Sequence, residues 1–341
     1  MIIRSKAPLR LGLAGGGTDV APYSDIFGGA ILNASISLYA YATIIPRNDG
    51  KIIFRSVDRG EVLTYSRAKK IEVDEILPLH KGVYNSIVKN FVGKSLSFEL
   101  HTFVDAPAGS GLGTSSTLTV AILGAFAEWL KLPLGEYDLA RLAYEIERVD
   151  LAMAGGKQDQ YAATFGGVNF MEFNKDNSVI VNPLRIRDEY LNELSHNLVL
   201  YYTETSRLSS KIIEAQAKNV VEQKASSVEA MHQLKKQSIM MKKALLLGNL
   251  DEIGEILNFG WENKKKMASG ITNSIIDKIY HAAINAGATG GKISGAGGGG
   301  FMVFYCPQMT RSNVVASLKQ FGGSEKRYQY VNKGLTTWSI K

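Results

Sequence analysis

Glycine is concentrated in four short segments of this chain, and that distribution limits where regular structure can form. The chain has 34 glycines among 341 residues. The clusters lie within residues 15–17, 109–113, 155–167 and 287–300. Because glycine lacks a Cβ, such clusters indicate tight turns or backbone that closely approaches another group.

The second cluster stands between a predicted strand and a predicted helix. Residues 96–104 alternate as a half-buried strand does, and 117–130 are apolar with helical spacing. The first N–H groups of a helix lack internal partners and the helix dipole is positive there, so this loop is suited to bind phosphate. Thr114, Ser115 and Ser116 stand at cap positions, where a hydroxyl can also bind a phosphate oxygen or magnesium. The alternative, an ordinary capped helix, leaves the three evenly spaced glycines unexplained.

Two familiar nucleotide-binding patterns fit less well. The loop lacks the Lys-Ser or Lys-Thr that closes a Walker A motif. Residues 295–300 match G-x-G-x-x-G, but 301–305 are typical of a strand, whereas a dinucleotide-binding fold needs a helix there. A dinucleotide-dependent oxidoreductase is therefore the weaker interpretation.

The remaining patterns predict an α+β chain with two mixed units. Strands are expected at 2–13, 30–45, 51–56, 96–104, 166–173, 197–203, 301–305, 326–331 and 335–340. Helices are expected at 117–130, 135–153, 208–247 with one break, 251–267 and 273–286. We assign an N-terminal domain to 1–190 and a C-terminal domain to 191–341. Since no low-complexity linker separates them, we expect a ligand cleft between the two.

Composition favours a globular cytoplasmic enzyme. Apolar residues make up 45% and charged residues 21%, which excludes a disordered chain. The longest apolar stretch, 120–127, ends at Glu128, well short of the roughly 20 residues of a membrane span. A net charge of +7 favours small phosphorylated ligands, and because the basic residues are dispersed we expect no nucleic acid partner.

Three motifs resemble those of the GHMP kinase superfamily, and they occur in the family's order. They are Pro8-x-Arg10 through Thr18-Asp19, the loop 107–117, and the glycine-rich segment 292–300. The segment GKQDQYAATFGG at 156–167 is similar to the sugar 1-kinase branch. The resemblance implies a two-domain fold, with an N-terminal domain like ribosomal protein S5 domain 2 and a C-terminal ferredoxin-like α+β domain. It also implies ATP and Mg²⁺ as cofactors.

The resemblance assigns the catalytic groups. Asp159 matches the family's catalytic aspartate, expected to orient and deprotonate the acceptor hydroxyl, and Arg10 is the cation expected beside it. Glu147 is expected to hold Mg²⁺ together with Ser115. The loop expected to bind ATP comprises Pro107, Ala108, Gly109, Ser110, Gly111, Leu112, Gly113, Thr114, Ser115 and Ser116.

The resemblance also implies the acceptor. The closest likeness is to kinases that phosphorylate the anomeric C1 hydroxyl of D-glycero-D-manno-heptose 7-phosphate, with L-fucose or another hexose as the alternative. Lys157, Arg207 and Lys211 are expected to hold the acceptor's own phosphate. The full set of predicted substrate-binding residues is Gly16, Gly17, Thr18, Asp19, Tyr23, Lys157, Gln160, Arg207, Gly297 and Gly298. The expected partners are ATP and a sugar phosphate, and the expected state is a monomer or homodimer. A ribosome-associated protein, the third interpretation, gives no reason for Asp159 and Glu147.

Overall fold

The computed structural model describes residues 1–205 and 209–341 and contains two β-sheets with helices packed on them. The strands are β1 (Ile2–Ala14), β2 (Gly29–Pro46), β3 (Lys51–Ser56), β4 (Glu61–Ser66), β5 (Phe98–Val104), β6 (Val168–Phe173), β7 (Val179–Pro183), β8 (Leu198–Tyr202), β9 (Gly290–Ile293), β10 (Phe301–Tyr305), β11 (Ser324–Glu325) and β12 (Thr336–Ile340). The α-helices are α1 (Tyr23–Phe27), α2 (Pro78–Ile87), α3 (Thr114–Leu130), α4 (Glu136–Glu145), α5 (Gln158–Phe165), α6 (Asp188–Asn197), α7 (Ser209–Val221), α8 (Ala225–Leu247), α9 (Ile253–Lys264), α10 (Ser274–Asn285) and α11 (Arg311–Leu318).

The first sheet is organised around the long strand β2. Its strand order is β12-β1-β2-β5-β3-β4, and β6 with β7 extends from the first half of β2. Strand β2 has 18 residues, so it pairs with β6 near its start and with β5 near its end. The pairing of β3 with β5 is parallel, and the other ladders described in this sheet are antiparallel.

Helix α3 lies in the core on the first sheet. Its residues 119–126 are buried on every face of the helix. A helix that is apolar all round can be stable only inside a protein, so the sequence of α3 fixes its depth. That depth places the start of α3, and the glycine loop before it, at the edge of the core.

The second sheet has the order β11-β8-β10-β9 and is antiparallel. One cluster of buried apolar side chains joins the two sheets. It includes Leu9 and Leu11 of β1, Leu245 of α8, Leu257 of α9 and Val303 of β10. The two halves therefore share a core.

The α+β expectation is confirmed, with three local differences. Residues 326–331 form no extended strand, because this segment meets β2 through scattered contacts such as the bridge between Ile36 and Tyr330. Helix α4 ends at Glu145, where a π-helical turn (Ile146–Asp150) begins. The last strand, β12, pairs with β1, so the predicted domain 191–341 contributes a strand to the first sheet. Across the described ranges, no helix has both the length and the apolar character needed to cross a membrane.

Candidate active site

The loop between β5 and α3 turns at three glycines. Gly109, Gly111 and Gly113 have φ angles of +73°, +83° and +79°, in the left-handed region that favours glycine. The first backbone bond closing the helix runs from Thr117 N to Gly113 O, at 2.9 Å. The N–H groups of residues 114–116 come before that bond and lie at the positive end of the helix dipole. This end of the helix suits a phosphate group. The structure therefore has the strand, glycine turn and helix that the sequence predicts here.

The glycine-rich loop between β9 and β10 packs directly against this first loop. The Ser294 hydroxyl donates to Gly111 O at 2.8 Å, and Phe301 N donates to Ser110 O at 2.9 Å. A Cβ on Gly111 would lie 2.5 Å from the Ser294 carbonyl oxygen, and one on Gly300 would lie 2.4 Å from the Ser110 carbonyl oxygen. The glycines thus allow the two loops to touch through their backbones.

Arg10, which is buried, and Asp159, which is partly exposed, form an ion pair beside the first loop. Arg10 Nε and Nη2 both contact Asp159 Oδ1, at 2.7 and 2.6 Å, and Arg10 Nη1 donates to Gly111 O at 2.7 Å. Only 3% of Arg10 is exposed. A Cβ on Gly113 would lie 3.2 Å from Asp159 Oδ2. The second carboxylate oxygen therefore lies at the start of α3, next to the predicted phosphate-binding loop.

Ser115 and Glu147 also lie together. The Ser115 hydroxyl donates to Glu147 Oε1 at 3.1 Å, and Glu147 is fully buried on the π-helical turn. The Gln160 side-chain nitrogen donates to Glu147 Oε2 and, at 3.0 Å, to the Ser116 hydroxyl. Gln160 was expected to bind substrate, and in the structure its buried amide nitrogen fixes the orientation of the Glu147 carboxylate.

Asp19 lies next to the start of α5, which carries Asp159. Its Oδ2 accepts a hydrogen bond from Gln158 N at 3.0 Å. Its Oδ1 is buried and has no hydrogen-bond partner among residues 1–205 and 209–341. Burial raises the pKa of the Asp19 carboxyl above its ordinary value. A buried acceptor atom without a protein partner is suited to receive a hydrogen bond from a ligand hydroxyl.

Arg10, Asp19 and Asp159 line one cleft of about 650 Å³, together with the glycine loop before α3. That volume is in the range of small-molecule sites. The lining comprises Arg10, Gly12, Gly16, Gly17, Asp19, Val20, Ala108, Gly109, Gly111, Gly113, Thr114, Ser115, Ser116, Arg148, Ala152, Met153, Ala154, Gly155, Gly156, Gln158, Asp159, Ser210, Ile213, Glu214, Gln216, Lys264, Lys292, Gly295 and Ala296.

Four predicted substrate-binding side chains lie outside that lining: Gln160, described above, and those of Thr18, Tyr23 and Lys157. The Thr18 hydroxyl bonds to Gly15 O and Ala30 O, at 2.8 and 3.1 Å, and so holds the turn together. The Tyr23 hydroxyl pairs with His232 Nδ1 at 2.8 Å inside a buried cluster. Lys157 is 3% exposed and its ammonium group bonds to Asn177 Oδ1. Each of these three side chains is engaged within the protein, so a role in acceptor binding stays a prediction.

Several loop residues have backbone roles that differ from those predicted. Ser110 and Leu112 are fully buried, and Pro107 is exposed in the preceding turn. Gly297 and Gly298 pack on Ile271, while the neighbouring Gly295 and Ala296 line the cleft. Arg207 lies outside the described residues, and Lys211 is exposed on α7.

Two lysines that line the cleft are not among the site residues predicted from the sequence. Lys264 and Lys292 are 4% and 6% exposed, and both line the cleft near Arg10. Lys292 Nζ donates to Gly12 O at 2.6 Å. Burial lowers the pKa of Lys264 to about 8 and lowers that of Lys292 well below its ordinary value. Lys264 opens a run of three lysines at the end of α9, which resembles an exposed helix end, and only its neighbour Trp261 signals burial.

Comparisons with known proteins agree with this geometry. The model of the GHMP kinases N terminal domain matches residues 78–167, and that of the GHMP kinases C terminal domain matches residues 241–324. The crystal structure of galactokinase from Lactococcus lactis in complex with galactose superposes with a TM-score of 0.78, covering 98% of this chain and 95% of that one, at 19% identity. That likeness supports the two-domain fold of the GHMP kinases.

Two proteins are similar over nearly their whole length. The D-glycero-alpha-D-manno-heptose 7-phosphate kinase of Campylobacter jejuni is 48% identical over 338 residues, which is 99% of each chain. The crystal structure of a D-glycero-D-manno-heptose 1-phosphate kinase from Bacteroides thetaiotaomicron is 46% identical and covers 99% of each chain, with a TM-score of 0.86. Since the similarity spans both domains and the glycine loops between them, the chain belongs to the GHMP kinase family.

Proposed function

We propose that this protein transfers the γ-phosphoryl group of ATP to the C1 hydroxyl of D-glycero-D-manno-heptose 7-phosphate. The product would be the 1,7-bisphosphate, which suits nucleotide-activated heptose synthesis. The observation that carries the proposal is the position of Asp159, whose Oδ2 lies beside Gly113 at the start of α3. A hydroxyl placed there has a base on one side and the phosphate-binding loop on the other.

Asp159 would accept the proton of the attacking hydroxyl. Both Arg10 contacts go to Oδ1, so Oδ2 is the oxygen directed to the reaction centre. A carboxylate within hydrogen-bond reach of a sugar hydroxyl supplies general-base catalysis. The Arg10 guanidinium holds this carboxylate in place and offsets negative charge that develops on the transferring phosphoryl group.

The loop and its neighbours would hold the nucleotide phosphates. The free N–H groups at residues 114–116 suit phosphate oxygens. Ser115 and Glu147 offer a hydroxyl and a carboxylate oxygen 3.1 Å apart, and hard oxygen donors of this kind, completed by nucleotide phosphates, suit Mg²⁺. When bound, Mg²⁺ supplies charge neutralisation for phosphoryl transfer.

A phosphorylated heptose as acceptor is supported by two relatives. The Campylobacter relative is a heptose 7-phosphate kinase, and the Bacteroides relative is a heptose 1-phosphate kinase. Gly16 lines the cleft of this chain, and its Cβ position lies 3.9 Å from Lys264 Nζ, so the absence of a side chain there leaves room for a sugar longer than a hexose. The choice between C1 and C7 as the reacting position is the part that needs a direct experiment.

The test measures ADP release with three acceptors under identical conditions. They are heptose 7-phosphate, heptose 1-phosphate and L-fucose, with Asp159→Asn as the inactive reference. We expect the highest kcat/KM for the 7-phosphate. The NMR spectrum of the product should show a new phosphate ester on the C1 oxygen. A higher kcat/KM for fucose would refute the heptose assignment, and phosphorylation of the 1-phosphate alone would move the reacting position to C7.

A further inference from the structure

The acceptor proposed above carries a phosphate of its own, and this step rests on that proposed function. Such a group needs donors of its own in the cleft, separate from those at the reacting hydroxyl. The sequence-based candidate Lys157 is engaged by Asn177, and its ammonium lies 3.6 Å from Asp25. The charge of Lys157 is therefore already compensated within the protein.

Lys264 is the cation that the structure leaves available. It is 4% exposed, and its ammonium group makes no ion pair or hydrogen bond with any residue in 1–205 or 209–341, although the charge of Asp19 acts on it from further away. By contrast, the neighbouring Lys292 already donates to Gly12 O. A buried ammonium without a partner is unfavourable by itself, so its presence in a cleft indicates an anionic ligand.

Gln216 of α7 supplies a second available donor. It is 3% exposed, lines the cleft, and its side-chain nitrogen has no hydrogen-bond partner among the described residues. Lysine and the amide nitrogen are both donors, so together they select oxygen acceptors.

The two side chains meet the cleft at adjacent glycines, Lys264 with its ammonium nitrogen and Gln216 with its amide oxygen nearest. A Cβ on Gly16 would lie 3.9 Å from Lys264 Nζ, and a Cβ on Gly17 would lie 3.6 Å from Gln216 Oε1. It would also lie 2.7 Å from Met267 Cε, so larger side chains are excluded at Gly17. The absence of a side chain at Gly16 thus leaves the space in front of Lys264 Nζ open, whereas Met267 fills the space at Gly17.

We infer that Lys264 and Gln216 form the subsite for the phosphate monoester that the acceptor carries at its non-reacting end. Asp19 Oδ1, unpaired in the described chain, would then accept a hydroxyl between that phosphate and the C1 hydroxyl at Asp159. The positive charge of Arg10 offsets the Asp19 carboxylate near the bound anion. The subsite explains how a phosphorylated acceptor is distinguished from a free sugar.

The test compares Lys264→Met with Lys265→Met, a neighbouring lysine that pairs with Glu262 at 2.7 Å and lies outside the cleft lining. Each variant is assayed with heptose 7-phosphate and with unphosphorylated heptose. For Lys264→Met we expect kcat/KM to fall about 30- to 1,000-fold for the phosphorylated acceptor and less than about threefold for the free sugar. Lys265→Met should match the wild type. An equal fall for both acceptors, or a wild type that does not discriminate between them, would overturn the inference.

Two further measurements keep this inference separate from the proposed function. Gln216→Leu should lower kcat/KM for the phosphorylated acceptor roughly tenfold, and it serves as the deciding variant if Lys264→Met does not fold. Calorimetric binding of hexose 6-phosphates and their parent hexoses does not depend on turnover. If heptose 7-phosphate is not a substrate but Lys264 still determines a preference for phosphorylated hexoses, the proposed function fails and the subsite stands. If no such preference exists, the subsite is wrong.

Discussion

At the level of single side chains, the reaction depends on one carboxylate oxygen. Asp159→Asn keeps the size of the side chain and an oxygen that can accept from Arg10, but it removes the base. We expect kcat to fall roughly 10²–10⁴-fold while the thermal midpoint stays near that of the wild type. The exposed Asp150→Asn is the matched control and should keep full turnover. Turnover of Asp159→Asn within a few fold of the wild type would show that another group accepts the proton.

The available ammonium of Lys264 has a cost in the ligand-free protein. Burial lowers its pKa from 10.5 to about 8, so between these values the unfolded chain binds more protons than the folded one. Stability therefore rises with pH across this window, and below pH 8 the full cost, about 3 kcal/mol, is present. The charges that also set this pKa are those of Asp19 and Arg10.

This sign gives a second prediction. Lys264→Met should raise the free energy of unfolding of the ligand-free protein at pH 7, and the difference from the wild type should shrink as pH rises from 8 towards 10. Urea unfolding at a series of pH values measures it, with Lys265→Met as the control that shows no such convergence. A Lys264→Met protein less stable than the wild type at pH 7 would mean that the ammonium has a stabilising partner.

For single residues, the sequence predicts which positions lie near the cleft but not the direction in which each side chain points. Asp159, Arg10 and Asp19 all line the cleft, as expected from the motifs that contain them. Lys157 stands two residues before Asp159, but its ammonium reaches Asn177, a contact that no local pattern encodes. Lys264 was missed for the opposite reason, because a lysine run at a helix end is usually solvated.

At the scale of elements, the two glycine loops act as one unit. Gly111→Ala places a methyl group 2.5 Å from the Ser294 carbonyl oxygen and strains a φ of +83°. We expect the loop to shift and kcat/KM for ATP to fall roughly 100-fold, since misplacement of about 1 Å can have that effect.

Gly60→Ala is the control that introduces backbone strain at a positive φ without disturbing a contact between loops. Gly60 has a φ of +66° in the turn between β3 and β4, with nothing within 4 Å of its Cβ position. This variant should lose about 1 kcal/mol of stability with unchanged kinetics. If both variants lower stability alike and Gly111→Ala keeps the wild-type kcat/KM for ATP, the contact between the loops is not needed for nucleotide binding.

Local signals explain which elements the sequence predicted well. Helix α3 and strand β10 have apolar patterns bounded by glycine, and both lie where expected. The π-helical turn at Glu147 has no recognisable pattern, because its geometry follows from holding that carboxylate against Ser115. Residues 326–331 have the composition of a strand, but they meet β2 through scattered bonds, so tertiary packing decided their conformation.

At the scale of the whole molecule, the shared core predicts that both halves unfold together. Leu9 and Leu11 of the first sheet pack in one cluster with Leu257 and Val303 of the second half. Strand β12 strengthens this link, since the chain returns from the second sheet to pair with β1. That return is a long-range pairing, and the sequence predicts the strand without indicating its partner.

Leu318→Ala tests whether the two halves unfold together, because it destabilises the C-terminal half alone. Leu318 is fully buried in α11, in a cluster made almost wholly of C-terminal residues. Its truncation should cost about 2–5 kcal/mol. If unfolding is cooperative, hydrogen exchange should accelerate by the same factor in the slowest amides of β5 and β10, although β5 belongs to the other sheet. Leu247→Ala, at a side chain that is 60% exposed, should change neither. Faster exchange in β10 with unchanged exchange in β5 would mean that the two halves unfold separately and that the cleft between them can open without the N-terminal sheet.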